Sequence, residues 1–381
     1  MMRPMKLAGS ELMFGKGCLE YLKTLKGSRA TIVMSGPILE KTGILEKVVV
    51  YLKEANIDSI VFNEVEPDPS FATVWKGAQV MKKYKPDLII ALGGGSAMDA
   101  AKAMWVCYEH PQISALSDIL PPKQIPKLRK KTRMVCIPST SGTASEVSRS
   151  VVITDEKTKI KHGIGNMEMI PDIAICDPEV TASMPPKITA ETGLDALAHA
   201  IEAYVSRRAN YISDLFAVQA VKDIFEYLPK AYKEGANLDY REKVLNASLI
   251  AGLAFTNVSL GIVHSMAHTL GSCFGVSHGL ADAVILPYVI EYNSANTEAA
   301  DRYKALENEL GIKDFVIAVK ELNKKLNIPS GFSGIITNKE KYYTKLEDMA
   351  VMALDDGCTK TNPITPSIED LIELFKKVYY V

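Results

Sequence analysis

Residues 87–107 read DLIIALGGGSAMDAAKAMWVC, and this stretch decides the fold. Asp87–Leu92 is a continuous apolar run without alternation, the pattern of a strand covered on both faces. Three glycines, Gly93 to Gly95, stop it, and Ala97–Cys107 carries helical spacing. The same unit recurs on either side. Upstream, Ala30–Met34 and Ile57–Phe62 read as strands, and Lys41–Ala55 and Ser70–Tyr84 as helices. Downstream, Met134–Ile137 and Ile173–Cys176 repeat the short run. Strand and helix in alternation imply a parallel sheet with helices on both faces, a Rossmann-like α/β domain.

Beyond about Thr189 the segments lengthen and become rich in Ala, Leu, Glu and Lys. Thr189–Val205, Ser213–Leu228, Arg241–Phe255 and Leu260–Leu270 all carry helical spacing. Met184-Pro185-Pro186 marks the change, so two domains are expected, an α/β domain at 1–184 and an all-α domain at 185–381. A length of 381 residues fits that number. Segment 117–133, rich in Pro, Lys and Arg, reads as a surface excursion. Hydrophobic residues at 47% and charged residues at 23% exclude disorder. The net charge of -1, with no basic run, argues against nucleic acid. No apolar stretch approaches the ~20 residues of a membrane span, and Met1–Ser10 lacks the apolar core of a leader. The six cysteines are scattered with no C-x-x-C pair, so reduced thiols in the cytoplasm are expected, and any metal site falls to histidines and carboxylates.

Two turns can take phosphate. Gly93-Gly94-Gly95-Ser96 sits between a buried strand and a helix, where backbone N–H groups and the helix N-terminus favour an anion. Ser96 with Asp99 resembles a capping box. The spacing is not G-x-G-x-x-G, and a tight turn in any doubly wound protein reads the same way. The second turn, Pro138-Ser139-Thr140-Ser141-Gly142-Thr143-Ala144-Ser145, carries five hydroxyls in eight positions. Hydroxyls donate to phosphate oxygens, although such a loop can also satisfy its own backbone. Two such turns after two parallel strands favour a ligand with more than one phosphate, at the carboxyl ends of the strands.

Of the six histidines, four lie between 199 and 278: His199, His264, His268 and His278. Asp195 and His199 are four apart on one helix face, and His264 and His268 repeat that spacing. His278, between Gly275 and Gly279, reads as a loop residue. A lone histidine is more often a satisfied core residue. Four in apolar surroundings would each be costly without a partner. Asp195, His199, His264 and His278 offer one oxygen and three nitrogens, a set that suits Fe2+ or Zn2+ and leaves a position open for a substrate oxygen. His110 and His162 fall outside the pattern.

With these residues quoted, the chain resembles the iron-containing (group III) alcohol dehydrogenase family along essentially its whole length. The matching stretches are GGGSAMDAAKA (93–103), PSTSGTASEV (138–147), ETGLDALAHAIEAY (191–204), GLAFTNVSLGIVHSMAHTLGSCFGVSHG (252–279) and ALDDGCTKTNP (353–363). ALGGGSAMDAAKAMWVCYEHP (91–111) is similar to the alcohol dehydrogenase half of bifunctional aldehyde–alcohol dehydrogenases. The resemblance implies a dehydroquinate synthase-like architecture, a homodimer, and reversible hydride transfer between NAD(H) or NADP(H) and a small alcohol or aldehyde. Asp195, His199, His264 and His278 match the metal ligands, and His268 matches the histidine assigned to proton relay. Gly94, Gly95 and Ser96 match the pyrophosphate turn, and Thr140, Ser141 and Thr143 the hydroxyl turn. Lys161 matches a lysine near the ribose, and Asp99 and Val180 complete the expected nucleotide set. Ser150, Phe255 and Cys358 fall where the family lines its substrate pocket.

Two departures stand out. Gly36 occupies the place of an Asp that accepts from the adenosine ribose in many members, which makes a 2′-phosphate, and so NADP(H), more acceptable. Ser150 replaces a larger residue and widens the pocket. The alternatives are a glycerol dehydrogenase-like or dehydroquinate synthase-like enzyme of the same fold, and a catalytically silent metal- or nucleotide-binding regulator. PSTSGTASEV and ALDDGCTKTNP favour the alcohol dehydrogenase branch, and an intact ligand set and glycine turn argue against a silent protein.

Overall fold

The computed structural model describes residues 5–158 and 160–380. The first four residues of the stretch read for a leader, Lys159 and Val381 lie outside the described residues. Two compact units form: residues 1–184 with 236–249, and residues 185–235 with 250–381.

The first unit holds strands β1 (Glu11–Phe14), β2 (Arg29–Met34), β3 (Asp58–Phe62), β4 (Leu88–Gly93), β5 (Arg133–Pro138), β6 (Ser150–Thr154), β7 (Lys161–Gly165) and β8 (Ile173–Cys176). Its helices are α1 (Ile38–Lys41), α2 (Ile44–Glu54), α3 (Phe71–Tyr84), α4 (Gly95–Glu109) and α5 (Pro178–Thr181). Six strands make one parallel sheet in the order β1-β8-β5-β4-β2-β3. The apolar run of β4 has no polar face because both faces are covered. Leu88, Ile90 and Leu92 join Leu19, Val48 and Ile175 on one side, while Ile89 and Ala91 join Met104, Trp105 and Met134 on the other. Each such buried aliphatic side chain contributes about 1.5–3 kcal/mol.

Two elements go beyond the sequence reading. β6 and β7 form an antiparallel hairpin apart from the main sheet. Segment 117–133 runs largely exposed, as expected of a surface excursion, but Ile119, Ile125 and Leu128 anchor it in the core. The amides of Arg129, Lys130 and Thr132 donate to the Glu109 carboxylate at the end of α4, which replaces the ladder bonds this irregular stretch lacks.

The second unit is helical: α6 (Pro186–Val205), α7 (Tyr211–Lys233), α8 (Leu238–Val258, whose first turns belong to the first unit), α9 (Ile262–Phe274), α10 (His278–Asn293), α11 (Thr297–Leu310), α12 (Phe315–Lys325), α13 (Lys339–Thr344), α14 (Leu346–Asp355) and α15 (Ile368–Tyr379). α6 packs along α7 and α10, and α9 along α10 and α14. α6 is buried on every side from Gly193 to Val205, so its charged residues are held inside the protein, where they need partners. No single helix among the described residues is long and apolar enough to cross a membrane.

Candidate metal and nucleotide sites

Three helices of the second unit bring the predicted ligands together. Asp195 and His199 lie on α6, His264 on α9, and His278 is the first residue of α10 rather than a loop residue. The Nε2 atoms of His199, His264 and His278 lie 3.5, 3.6 and 3.8 Å from the same Asp195 Oδ1. That oxygen and His264 Nε2 are buried without a hydrogen-bond partner. An acceptor and an imidazole nitrogen left bare at the centre of one cluster are the donor chemistry a divalent cation satisfies. The residues present therefore fit the metal.

The sequence reading missed three neighbours. Glu202, one turn after His199, is 3% exposed and holds two groups of α9. Its Oε1 accepts from the Val263 amide at 2.7 Å, and its Oε2 lies 2.5 Å from His264 Nδ1. A carboxylate on Nδ1 orients the ring so that Nε2 faces Asp195. Asp282, one turn after His278, is fully buried, with Oδ2 3.2 Å from His278 Nε2 and both oxygens unpartnered. One donor atom each from Asp195, His264, His278 and Asp282 falls within 4.8 Å of all the others, a set that does not include His199. Asp356 accepts from His268 Nδ1 at 2.8 Å. The signal available for Glu202 and Asp282 was a carboxylate in an apolar helix, four or fewer positions from a histidine.

Electrostatics follow from burial. Burial alone would raise the Asp195 carboxyl, but His199, His264 and His278 hold it well below the ordinary range. Burial would lower His264, yet Asp282, Glu202 and Asp195 raise it well above the usual imidazole value. The carboxylates that favour a proton on His264 equally favour a cation at its Nε2.

His268 is half-buried and stacks on His278, with ring centroids 5.2 Å apart and planes 9° apart. Phe255 stacks on His199 at 4.4 Å. Cys358 donates its amide to Asp356 Oδ1 at 2.8 Å, next to the carboxylate that holds His268, and burial pushes its thiol well up. His268, Phe255 and Cys358 thus gather round the cluster, while Ser150 lies in the first unit at the exposed start of β6.

The two sequence-predicted turns of the first unit meet each other. α4 starts at Gly95 with Gly94 as its N-cap and no side-chain cap, so its first amides are open to a ligand. A Cβ on Gly95 would stand 2.8 Å from Thr143 Cγ2, and one on Gly94 3.3 Å from Thr140. Glycine is needed here because the hydroxyl turn packs directly on the glycine turn. Ser141 is buried, and its Oγ has no partner. Lys161 pairs with Asp68 at 2.8 Å, and the Asp68 amide donates to Ser96 Oγ at 3.4 Å, which ties the lysine to the same turn.

Two residues of the expected nucleotide set are held by the protein itself. Asp99 does not cap α4; its carboxylate accepts from Ser145 Oγ and from the Val152 amide, both at 2.8 Å, and so binds the hydroxyl turn to the β6–β7 hairpin. Beside it the fully buried Lys102 donates to Ser145 Oγ and to the Ser148 carbonyl. Val180 is fully buried in the sheet core. Gly36 follows β2 at φ +64° with open space beyond its α-carbon.

Comparison with known proteins gives the family. Residues 9–178 match the iron-containing alcohol dehydrogenase family, and residues 189–379 match its C-terminal part. The chain is 43% identical to the NADPH-dependent butanol dehydrogenase of Clostridium saccharobutylicum, over 97% of this chain and 96% of that one. It is 39% identical to aldehyde-alcohol dehydrogenase 2 of Entamoeba histolytica over 97% of its own length, and spans 46% of that longer protein. The iron-containing alcohol dehydrogenase structure from Thermococcus thioreducens superposes with a TM-score of 0.92 at 34% identity, covering 99% of each chain. The chain belongs to the iron-containing alcohol dehydrogenase family.

Proposed function

We propose that this alcohol dehydrogenase interconverts small primary alcohols and their aldehydes with Fe2+ at Asp195, His199, His264 and His278 and with NADP(H) as the preferred nucleotide. The observation that carries the reading is the convergence of three imidazole Nε2 atoms on one unpartnered Asp195 oxygen. A divalent cation bound there supplies a Lewis acid that lowers an alcohol's pKa or polarises an aldehyde carbonyl. The nicotinamide supplies the hydride acceptor or donor. Asp356 holds the Nδ1 side of His268, which leaves Nε2 to take or give the substrate proton. Phe255 and Cys358 border the substrate and exclude water. The open amides of α4, with Thr140, Ser141 and Thr143, bind the pyrophosphate. A cytoplasmic homodimer completes the reading. The test is nicotinamide absorbance in a matrix of alcohols and aldehydes, butanal included, against NAD(H) and NADP(H), with Fe2+ or Zn2+ returned to the chelated enzyme. Absence of aldehyde-dependent oxidation with every pair would overturn it.

Gly95→Val should displace Thr143 from the glycine turn. Overpacking of this kind costs about 1–3 kcal/mol, so the cofactor KM should rise roughly ten- to a hundredfold while metal content stays unchanged. Unaltered nucleotide binding by fluorescence would remove the pyrophosphate from this turn.

Gly36→Asp should move preference towards NAD(H), because a carboxylate repels a 2′-phosphate and accepts from a free 2′-hydroxyl. Asp tolerates positive φ better than most residues, and the open space leaves room for its side chain. Comparing kcat/KM for both cofactors decides the point. A hundredfold wild-type preference for NAD(H), about 2.7 kcal/mol, would rule out the NADP(H) reading.

A further inference from the structure

Asp282 has no role among the four proposed ligands, yet its surroundings are those of a ligand. It is fully buried one helical turn along α10 from His278, with Oδ2 3.2 Å from the His278 nitrogen that faces Asp195. Neither of its oxygens has a hydrogen-bond partner. Among the described residues no Lys or Arg pairs with Asp195, Glu202 or Asp282; their ion pairs are all with the clustered histidines. Glu202 differs from the other two, since the Val263 amide and His264 Nδ1 occupy its oxygens. Asp195 and Asp282 therefore face each other with bare oxygens in a water-poor pocket. Two such carboxylates are costly without a positive charge between them, and a divalent cation matches their combined charge.

We infer that Asp282 is a fifth protein donor to the cation, and that it biases the pocket towards six-coordinate Fe2+ or Mn2+ over four-coordinate Zn2+. Zn2+ is content with four donors in a tetrahedron, whereas ions that accept carboxylate oxygens in octahedral sites use a fifth donor and still keep one position for a substrate oxygen. The inference rests on the metal reading above and deepens it.

The experiment compares the wild-type holoenzyme with Asp282→Asn and His264→Ala, each stripped with chelator and titrated with Fe2+, Mn2+ or Zn2+ alone. The readouts are dissociation constants by chelator competition, metal per chain by elemental analysis, and the rise in Tm on adding each metal. In Asp282→Asn, Fe2+ and Mn2+ should bind roughly 10–100-fold more weakly, the scale of losing a supporting metal-site group. Zn2+ affinity should change by less than about threefold, and the Tm rise with Fe2+ should shrink. The apo variant should melt at or above the apo wild type, since one of two facing carboxylates is gone, which separates the effect from misfolding. Equal changes for all three ions, or none, would overturn the inference. If the wild type itself binds no ion, the metal reading falls; if wild type binds, His264→Ala does not and Asp282→Asn equals wild type, only the role of Asp282 falls.

Discussion

His264→Ala should lose metal and activity together. Its Nε2 is one of three imidazole nitrogens aimed at Asp195, and the substitution removes it. Lewis-acid stabilisation is worth several kcal/mol, and each 1.36 kcal/mol is tenfold in rate, so turnover should fall by roughly 10³-fold or more. Elemental analysis of the purified variant should show little bound metal. The change also leaves Glu202 Oε2 buried without its imidazole, at about 1–3 kcal/mol of stability, so a thermal melt must accompany the measurement. Glu202→Gln provides the graded control. It keeps the shape and an acceptor for the Val263 amide but removes the charge behind Nδ1, and should weaken metal binding by about 10–100-fold. Full occupancy in His264→Ala would exclude this histidine as a ligand; equal affinity in Glu202→Gln and wild type would reduce Glu202 to a cap for α9.

The contrast between His264 and Glu202 shows what a sequence reading can reach. Strand β4 and helix α4 are legible because a buried parallel strand must be apolar throughout and its turn must be glycine where Thr143 packs. Asp195 with His199, and His264 with His268, are legible because one helical turn places each pair on one face. β1 is not, since four residues with exposed ends become a strand only by pairing with β8, more than 150 positions away. His278 hides for a different reason. A residue flanked by Ser277 and Gly279 has the composition of a loop, and only packing makes it the start of α10. Glu202 looks like any surface carboxylate of a helix until α6 is seen to be buried all round. Asp356 meets His268 across 88 positions, beyond any local spacing rule.

His268→Ala should keep its metal and lose turnover. His268 lies one turn after His264, yet its ring stacks flat on His278 and its Nδ1 is taken by Asp356. It therefore stands beside the cluster rather than in it, with Nε2 as its open nitrogen. Alcohol oxidation must release the hydroxyl proton, and an imidazole with one nitrogen held by a carboxylate can pass that proton to solvent from the other. General acid–base catalysis is worth about 10²–10⁴-fold, which sets the expected fall in kcat, with one ionisation lost from the pH dependence of kcat/KM. A packing role predicts differently, since removing the ring would disturb His278 and lower metal occupancy while leaving the pH profile unchanged. Asp356→Asn sharpens the comparison. Asn can still accept from Nδ1–H, so the ring stays in place, but the charge that supports the imidazolium is gone and the burden should fall on kcat with little change in KM. Normal metal content in both variants, reduced turnover in both, and a pH profile altered in both place the proton on His268 Nε2. Reduced metal with an unaltered profile returns His268 to packing against His278.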